Sequence, residues 1–351
     1  MSKSHRVAIL GATGYGGAEL VRTLLLHDGV EVTRLVAKNN IDARIDRIVP
    51  SLAGLTDLRV EDASPSEVAK DADLVLLALP HRVSALIGAE YVKLGVKVID
   101  LSGDWRLLDA QQYADYYGVD HPLPDQLGSF VYGMPEMNRA AIRGADRVAS
   151  PGCFATATTL ALLPFARAGL LQGRVRVSAM TGSSGSGVRA SAGTHHPVRA
   201  VNLKPYKPLA HQHTPEIEQS LRLSGASDVV VDFVPVSAPL ARGILTTCFF
   251  DVSADVPVAD IQAAMHDCYD AEPFVRIIED ALPQVAAIKG SMFCDVAVSI
   301  GDIVTDGKRT VVAHSALDNL VKGGAGQAVQ SMNLVLGLPE TMGIQRPALW
   351  P

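Results

Sequence analysis

The sequence predicts an α/β protein in which a doubly wound parallel sheet is followed by a second α+β domain with a mixed or antiparallel sheet. Three observations lead to this prediction. Apolar strand patterns alternate with helical patterns in the first part of the chain, and a glycine-rich turn joins the first strand to the first helix. After Cys153 the strand patterns instead alternate in polarity and pair locally. We therefore expect one domain over residues 1–152 and a second over 153–322, with a separate C-terminal segment over 323–351.

The elements follow from hydrophobic periodicity and from glycine and proline breaks. In the first domain the sequence predicts strands at 7–10, 31–37, 74–79, 96–101 and 147–149, and helices at 18–27 and 83–94. In the second it predicts strands at 174–180, 229–236, 244–252, 294–300 and 310–314, and helices at 214–223 and 258–269. A last helix is expected at 325–336, after two glycines.

Composition excludes several classes of protein. The chain has 351 residues and a formal net charge of −6, without a basic block that could follow a nucleic-acid backbone. No run approaches the roughly 18 apolar residues of a membrane span. The four cysteines are scattered and none has CxxC spacing, so neither a zinc site nor a disulfide framework is indicated. We expect a cytoplasmic protein without a metal ion.

The glycine-rich turn predicts a dinucleotide site of the Rossmann type. Glycine lets the backbone turn tightly and approach a pyrophosphate, and the following helix supplies N–H donors and a positive dipole end. NAD sites usually carry an acid at the end of the second strand, but this chain has Lys38 there, which favours NADP or is a solvated surface lysine. The expected cofactor-binding residues here are Gly11, Ala12, Thr13, Gly14, Tyr15, Gly16 and Lys38.

Cys153 is the candidate nucleophile. It follows Pro151 and Gly152, and a helix pattern begins at or just after it. The free N–H groups and the dipole at a helix N-terminus lower a thiol pKa, so a thiolate is available near neutral pH. The alternative is a small buried core residue, the usual fate of cysteine. The other three cysteines lie inside strand or helix patterns, and we interpret them as core residues.

Two histidines on a helix entry loop are candidate acid–base groups. His211 and His213 precede Thr214, which we expect to be the N-cap, and Pro215, expected at the first helical position. A neutral imidazole can accept the thiol proton and later return one to an aldehyde oxygen. No compact third and fourth ligand accompanies them, which argues against a metal. The alternative is a pair of solvated or capping histidines.

Two further segments are candidate anion or cofactor sites. Arg106 follows a buried strand of the first domain, at the edge where parallel sheets bind ligands, and its guanidinium fork suits phosphate or carboxylate. Ser102 lies in the same segment and is a candidate cofactor contact. The second glycine-rich loop, which contains Ser183, is either a backbone nest for the nicotinamide side of a cofactor or a plain flexible turn.

These residues and motifs together resemble the N-acetyl-γ-glutamyl-phosphate reductases of the semialdehyde dehydrogenase superfamily. The resemblance covers nearly the whole length. It is carried by residues 11–20, 78–81, 100–107, 132–136, 151–153, 211–219, 242–245 and 318–323. It implies an NADP-dependent reductase that converts an acyl phosphate to a semialdehyde through a thioester on Cys153, with His213 as acid–base residue, His211 and Glu216 beside it, and Asn319 as a cofactor contact. It also implies that the last helix returns to the first domain.

The resemblance leaves two substrates open. The segment 214–219 is similar to arginine-pathway enzymes, which reduce N-acetyl-L-glutamyl 5-phosphate to N-acetyl-L-glutamate 5-semialdehyde. Segments 194–197, 206–208 and 337–343 are similar to the lysine-pathway branch, whose glutamyl or aminoadipyl phosphates are held on a small amino-group carrier protein. We favour the arginine pathway. Family members generally self-associate, so a homodimer or homotetramer is expected.

Overall fold

The computed structural model describes residues 5–350, and the chain divides into two compact units. The first unit contains the chain up to Gly152 together with Gly324–Gln345. The second contains Cys153–Gly323 and the last few residues of the chain. Within the described part of the chain, no helix combines the length and the apolar character needed to cross a membrane.

The first unit is built on a parallel sheet of seven strands. The strands are β1 (His5–Leu10), β2 (Val30–Val36), β3 (Val60–Glu61), β4 (Leu74–Leu77), β5 (Lys97–Asp100), β6 (Val131–Tyr132) and β7 (Arg147–Ala149). Their order in the sheet is β3-β2-β1-β4-β5-β7-β6, and every pairing is parallel. All four residues of β4 are buried. Both faces of the sheet are therefore covered at its centre, which explains why the strand reads as a continuous apolar run.

Helices connect these strands. They are α1 (Tyr15–Leu24), α2 (Ile45–Ile48), α3 (Pro65–Val68), α4 (Val83–Lys93), α5 (Ala110–Tyr117) and α6 (Pro135–Arg143). Trp105 is buried and stacks on Phe130, with ring centroids 4.6 Å apart. This pair belongs to a core that also contains Tyr91 and the inner side chains of the central strands.

The second unit contains a mixed sheet of seven strands. Its elements are α7 (Cys153–Arg167), β8 (Arg174–Thr181), α8 (His196–Arg199), β9 (Lys204–Pro205), α9 (Thr214–Leu223), β10 (Val230–Ser237), β11 (Ile244–Ser253), α10 (Val258–Tyr269), β12 (Val275–Ile277), α11 (Val285–Ile288), β13 (Cys294–Thr305) and β14 (Lys308–Leu317). The strand order is β12-β13-β14-β11-β8-β10-β9. The pairs β8/β10 and β12/β13 are parallel, and the others are antiparallel.

Helix α7 lies at the centre of the second unit. Every residue from Phe154 to Ala166 is buried. Two backbone carbonyls of the helix accept hydrogen bonds from side chains of other elements: Ala157 O from Ser315 at 2.7 Å, and Leu160 O from the hydroxyl of Tyr269 at 2.5 Å. The alternating burial along β8 shows that only one face of the mixed sheet is covered within this unit.

After Gly323 the chain re-enters the first unit through one irregular turn and forms α12 (Gly326–Val335). All ten residues of α12 are buried. Ser331 donates to the carbonyl oxygen of Gly133, and the side-chain amide of Asn333 donates to the carbonyls of Glu340 and Met342. The chain's last helix thus lies in the same unit as its first strand.

The predicted fold class is confirmed, and the element boundaries differ mainly at exposed ends. Helices α9 and α10 have the predicted bounds, whereas α1 begins three residues earlier than predicted. Strands β13 and β14 extend beyond their predicted ends to form a hairpin at Asp306 and Gly307, both with positive φ. The sequence did not indicate this extension because residues 301–305 are mostly exposed and carry little apolar alternation; backbone pairing with the neighbouring strand holds them instead.

Gly11 allows a prediction about the stability of the first unit. Its φ is +81°, and a Cβ atom there would lie 2.3 Å from the carbonyl oxygen of Ala78. Gly95 has a similar φ of +75° but no atom within 4 Å of such a Cβ. We expect Gly95→Ala to cost about 1–2 kcal/mol for backbone strain, and Gly11→Ala to cost roughly 1–3 kcal/mol more because of the clash. Urea unfolding followed by the fluorescence of buried Trp105 measures both; equal costs would contradict the role of close packing at Gly11.

Candidate active site

The predicted dinucleotide turn lies between β1 and α1. The N–H of Gly11 donates to Val36 O at 2.7 Å, and a Cβ atom on Gly17 would lie 2.2 Å from Gly11 O, so both glycines are required by the protein's own backbone. At Gly14 the nearest atom to a Cβ is 3.5 Å away, and Gly14 begins α1 without a side-chain cap. The first N–H groups of α1 therefore remain available to an anion. The turn fits a pyrophosphate on its open side.

Lys38 lies just beyond the end of β2 and is highly exposed. Its Nζ is 2.5 Å from an oxygen of Asp62, which follows β3. This acid could not be predicted from sequence, because Asp62 is distant along the chain and reaches Lys38 only through the β2/β3 pairing. The role of Lys38 at a 2′-phosphate stays a prediction. Thr13, on the glycine turn, donates to the side chain of Asn39 at 2.9 Å, which links the turn to the same loop.

Ser102 and Ser84 donate hydrogen bonds to the buried carboxylate of Asp100. Asp100 accepts the N–H and the hydroxyl of Ser102 at 2.7 and 2.9 Å, and the hydroxyl of Ser84 at 2.7 Å. Burial raises the pKa of Asp100 to about 6, despite these donors, and nearby Asp104 adds to the rise. Ser102 is itself buried, so its hydroxyl already serves the fold; its proposed contact with a cofactor stays a prediction.

In the segment that contains Arg106, the charged side chains form hydrogen bonds with the backbone of neighbouring loops and of helix α4. Asp104 accepts the N–H groups of Arg82 and Ala85 at 2.7 and 2.9 Å and thereby caps α4. Arg106 is buried and donates to Ser150 O at 2.8 Å and to Leu101 O at 2.7 Å. The sequence predicted that the Arg106 guanidinium binds a phosphate or a carboxylate, whereas in the structure two of its N–H groups donate to backbone carbonyls. One of these carbonyls is that of Ser150, which immediately precedes Pro151.

Cys153 opens onto a cavity of about 390 Å³ in the second unit. It is the first residue of α7, as the sequence predicted for a cysteine at a helix start. Gly323 packs against it: a Cβ atom on Gly323 would lie 2.9 Å from the Cβ of Cys153 and 3.2 Å from its Cα. Gly323, which ends the 318–323 motif, must therefore be glycine, because any side chain there would clash with Cys153.

The other three cysteines lie away from this cavity. Cys248 and Cys294 are buried, and burial raises the pKa of Cys248 to about 12. Cys268 is partly exposed on α10, accepts a hydrogen bond from Arg167, and has a pKa raised by burial. A raised pKa disfavours the thiolate, so neither Cys248 nor Cys268 is suited to nucleophilic attack.

Both predicted histidines line the cavity of Cys153. Nδ1 of His211 accepts the backbone N–H of His213 at 3.2 Å, and the two rings meet edge to face with centroids 4.8 Å apart. Phe154 contacts both rings. Burial, with a smaller effect from Lys207, lowers the pKa of His211 to about 4. His211 is thus neutral at physiological pH, and its Nδ1 is already engaged as a hydrogen-bond acceptor.

The helix entry after the histidines differs by one residue from the prediction. His213, not Thr214, is the N-cap of α9; it has helical φ and ψ and makes no capping hydrogen bond with its side chain. Thr214 is the first helical residue and Pro215 the second. The shift follows from the His211–His213 hydrogen bond, which already turns the backbone at His213. Glu216 is buried in the first turn and does not line the cavity, so a substrate contact there stays a prediction.

Asn319 joins two loops of the second unit. Its side-chain oxygen accepts the N–H of Gly243 at 2.7 Å, and its amide nitrogen donates to the hydroxyl of Ser184 at 3.0 Å. The loop that contains Ser183 is further held by donation from Ser183 N to Leu240 O at 2.8 Å. The second glycine-rich loop is therefore a fixed structure and not a free turn. Cofactor contacts at Ser183 and Asn319 stay predictions.

The cavity also contains residues that sequence reasoning did not assign to the site. Arg199, Lys204, Tyr206 and Lys207 line it. Burial raises the pKa of Tyr206, and the nearby thiol of Cys153 adds to the rise. One sequence signal was available: no Asp or Glu occurs between Asp146 and Glu216. Among residues 5–350, no group of three or more His, Cys, Asp or Glu side chains is placed to hold a metal ion.

Comparison with known families assigns both units. Residues 6–145 match the NAD-binding domain of semialdehyde dehydrogenases, and residues 153–319 match the semialdehyde dehydrogenase dimerisation domain. Among solved structures, aspartate semialdehyde dehydrogenase II of Vibrio cholerae, complexed with ASA, aligns with a TM-score of 0.71 over 96% of this chain and 99% of that one. Sequence identity to it is 19%, so this likeness shows the fold alone.

Curated relatives are similar over their full length. N-acetyl-gamma-glutamyl-phosphate reductase of Methanosphaera stadtmanae is 40% identical over 98% of both chains, and that of Pelotomaculum thermopropionicum is 39% identical over 99% of both. The [LysW]-L-2-aminoadipate 6-phosphate reductase of Deinococcus radiodurans is 39% identical over 100% of this chain and 99% of its own. On these matches the chain belongs to the N-acetyl-γ-glutamyl-phosphate reductase family of the semialdehyde dehydrogenases.

Proposed function

We propose that the protein reduces N-acetyl-L-glutamyl 5-phosphate to N-acetyl-L-glutamate 5-semialdehyde and phosphate with NADPH, in arginine biosynthesis. The observation that carries the proposal is the cavity that joins Cys153, at the start of a buried helix, to two histidines and several cationic side chains. A thiol nucleophile, a proton carrier and an anion-binding surface are what reduction of an acyl phosphate requires. The full-length similarity to reductases of this name supports the substrate.

Cys153 performs the first step. Its sulfur forms a bond to the acyl carbon, and the bond from that carbon to the phosphate oxygen breaks, so phosphate leaves with the electron pair and a thioester remains. The helix N-terminus supplies N–H groups and a positive dipole end beside the attacking sulfur. A thioester is more easily reduced than an oxygen ester, which explains why a cysteine and not a serine stands here.

The glycine turn of the first unit would hold the dinucleotide. Residues 11–16 would receive the pyrophosphate on the open side at Gly14, and Lys38, Ser102, Ser183 and Asn319 are the further contacts we propose. When bound, NADPH supplies the hydride that reduces the acyl carbon. The chain's own residues orient the acyl group and manage the protons. Cys153 is released as a thiolate when the semialdehyde forms.

His213 is the acid–base residue in this proposal. His211 is neutral because burial depresses its pKa, and its Nδ1 is engaged by the backbone of His213. That hydrogen bond fixes the backbone from which the His213 side chain projects. His213 accepts the proton of the Cys153 thiol and returns a proton to the substrate oxygen as that oxygen gains charge. His211 positions His213 and holds no catalytic proton.

A second candidate is reduction of an aminoadipyl or glutamyl phosphate held on a carrier protein. It is favoured by the 39% identity to the [LysW]-L-2-aminoadipate 6-phosphate reductase, which equals the identity to several N-acetyl-gamma-glutamyl-phosphate reductases. The same cavity chemistry serves both substrates, so the assay must separate them.

We also propose that the protein self-associates as a homodimer or homotetramer and works in the cytoplasm. The matched dimerisation domain supports self-association. A reduced thiol nucleophile and four free cysteines suit a reducing compartment.

The proposed reaction is tested in reverse, because acyl phosphates hydrolyse readily. We expect N-acetyl-L-glutamate 5-semialdehyde, phosphate and NADP to yield NADPH only when phosphate is present. Cys153→Ser should lower kcat at least about 10³-fold because a hydroxyl is a much weaker nucleophile. Cys268→Ser, at the partly exposed cysteine of α10, is the matched control and should keep wild-type kcat. Turnover confined to a carrier-linked semialdehyde would establish the second candidate instead.

The two histidines are distinguished by parallel substitutions. His213→Asn should lower kcat about 10²- to 10⁴-fold, the usual range for loss of a general acid–base residue. In His211→Asn the new side-chain oxygen replaces Nδ1 as acceptor for the N–H of His213, so kcat should fall less than about 10-fold. Stopped-flow or steady-state NADPH formation measures both. A larger loss at His211 than at His213 would reverse the assignment.

His211 also predicts how stability depends on pH. Its folded pKa of about 4 lies below the ordinary 6.5, so only the unfolded chain binds this proton between those values. The stabilisation is complete above pH 6.5 and is lost as pH falls toward 4, by up to about 3 kcal/mol. Urea unfolding at pH 7.5 and pH 5 should show a smaller loss for His211→Asn than for wild type. His196→Asn, at an exposed histidine, should lose as much as wild type; identical losses in all three proteins would disprove the effect.

A further inference from the structure

Arg199 stands out because it is a buried cation with which no acid of the described chain, residues 5–350, forms a pair. It is 9% exposed and lies at the end of the short helix α8. Buried Arg106 donates to two backbone carbonyls, and partly buried Arg276 pairs with Asp295 at 2.7 Å. Arg199 makes one hydrogen bond, from Nη2 to Thr181 O at 3.0 Å. Its Nη1 is also buried and has no hydrogen-bond partner in residues 5–350.

Within residues 5–350, no carboxylate pairs with this guanidinium. The sequence has no Asp or Glu between Asp146 and Glu216, although the whole chain carries a net charge of −6. Within the described chain, the residues that line the cavity around Arg199 include no acid but do include Lys204 and Lys207. Tyr206, which also faces Arg199, has a raised pKa and is therefore neutral. The charged side chains that line the cavity, Arg199, Lys204 and Lys207, are therefore all cationic.

A buried charge without a counter-ion is strongly unfavourable, and proteins keep such groups where a ligand supplies the missing charge. Arg199 is also anchored at one nitrogen of its guanidinium. Nη2 donates to Thr181 O, and that carbonyl is satisfied without it, because it also accepts Ala238 N at 2.9 Å. Arg199 therefore contributes an unneutralised guanidinium to the lining of the cavity that also holds Cys153. An anionic oxygen is the ligand group that suits this donor.

The proposed substrate carries two anionic groups, and their fates differ. The phosphate leaves during the reaction and must pass to solvent, whereas the α-carboxylate stays on the substrate throughout. Lys204 and Lys207 are exposed and suit a group that departs. Arg199 is buried and suits a group that remains bound while the acyl carbon reacts. Resting on the proposed function, we infer that Arg199 binds the α-carboxylate of the substrate and selects substrates that carry it.

The kinetic test compares Arg199→Met with Arg189→Met, at an exposed arginine of the same segment. In the reverse assay, Arg199→Met should raise KM for N-acetyl-L-glutamate 5-semialdehyde about 10- to 100-fold, the usual effect of losing a charge-assisted hydrogen bond. KM for phosphate should change less than about 3-fold. Arg189→Met should match wild type. A rise in KM for phosphate with an unchanged KM for the semialdehyde would assign Arg199 to the phosphate and overturn the inference.

A binding test separates this inference from the proposed reaction. N-acetyl-L-norvaline has the substrate's carbon chain and α-carboxylate but no reacting group, and N-acetyl-L-norvalinamide is its neutral counterpart. Calorimetry should show the acid binding wild type at least about 10-fold more tightly than the amide, and no preference in Arg199→Met. That result holds even if the protein turns over a different acyl phosphate. Equal binding of acid and amide by wild type, or a preference that survives in Arg199→Met, would refute the role of Arg199.

A stability measurement excludes a purely structural role. Because Arg199 has no acid partner, Arg199→Met should leave Tm without ligand unchanged or raise it. It should also abolish the rise in Tm that N-acetyl-L-norvaline gives in wild type. A marked fall in the Tm of unliganded Arg199→Met would show that the arginine supports the fold and would overturn the assignment.

Discussion

The start of helix α7 is the constraint on which the rest of the site depends. Cys153 is its first residue, and the thirteen residues that follow are buried, so the backbone at Cys153 cannot shift without disturbing the core of the second unit. Gly323 packs on the cysteine where a side chain would not fit, and Asn319 ties the neighbouring loops together through Gly243 and Ser184. Sequence motifs far apart within the second unit thus share one task, the placement of a thiol.

Buried ionisable groups distinguish the parts of the molecule that serve the fold from those that serve chemistry. Asp100 is surrounded by hydroxyl and N–H donors, and Asp104 caps a helix, so both are satisfied within the first unit. His211 is kept neutral by burial and supports its neighbour. Arg199 lacks such internal compensation. A protein tolerates an unpaired buried charge where a ligand supplies the opposite charge, so Arg199, and not Arg106 in the more recognisable motif, is the arginine we assign to the substrate.

Much of the fold could be read from the sequence because each predicted element has a strong local pattern. The buried strand β4 and the helices α9 and α10 are clear examples, since their periodicity or continuous apolar character is unambiguous. The hairpin end of β13 and β14 was missed because backbone pairing alone supports it. Thr214 was misassigned as the N-cap because it is the better capping residue by type, whereas a hydrogen bond between two histidines sets the turn one residue earlier.

The sequence by itself determined the α/β class, the glycine turn between the first strand and the first helix, the cysteine at a helix start and the proximity of two histidines to a helix entry. Each of these is local, because periodicity, turn geometry and capping act over a few residues. Tertiary structure alone decided which partner each charged group meets. Asp62 pairs with Lys38 across paired strands, Arg106 donates to the carbonyl of Ser150, and Arg199 donates to the carbonyl of Thr181 and pairs with no acid of residues 5–350. Electrostatic interactions act through space and depend on burial, so the partners of a charge, and hence its function, appear only when the chain is folded.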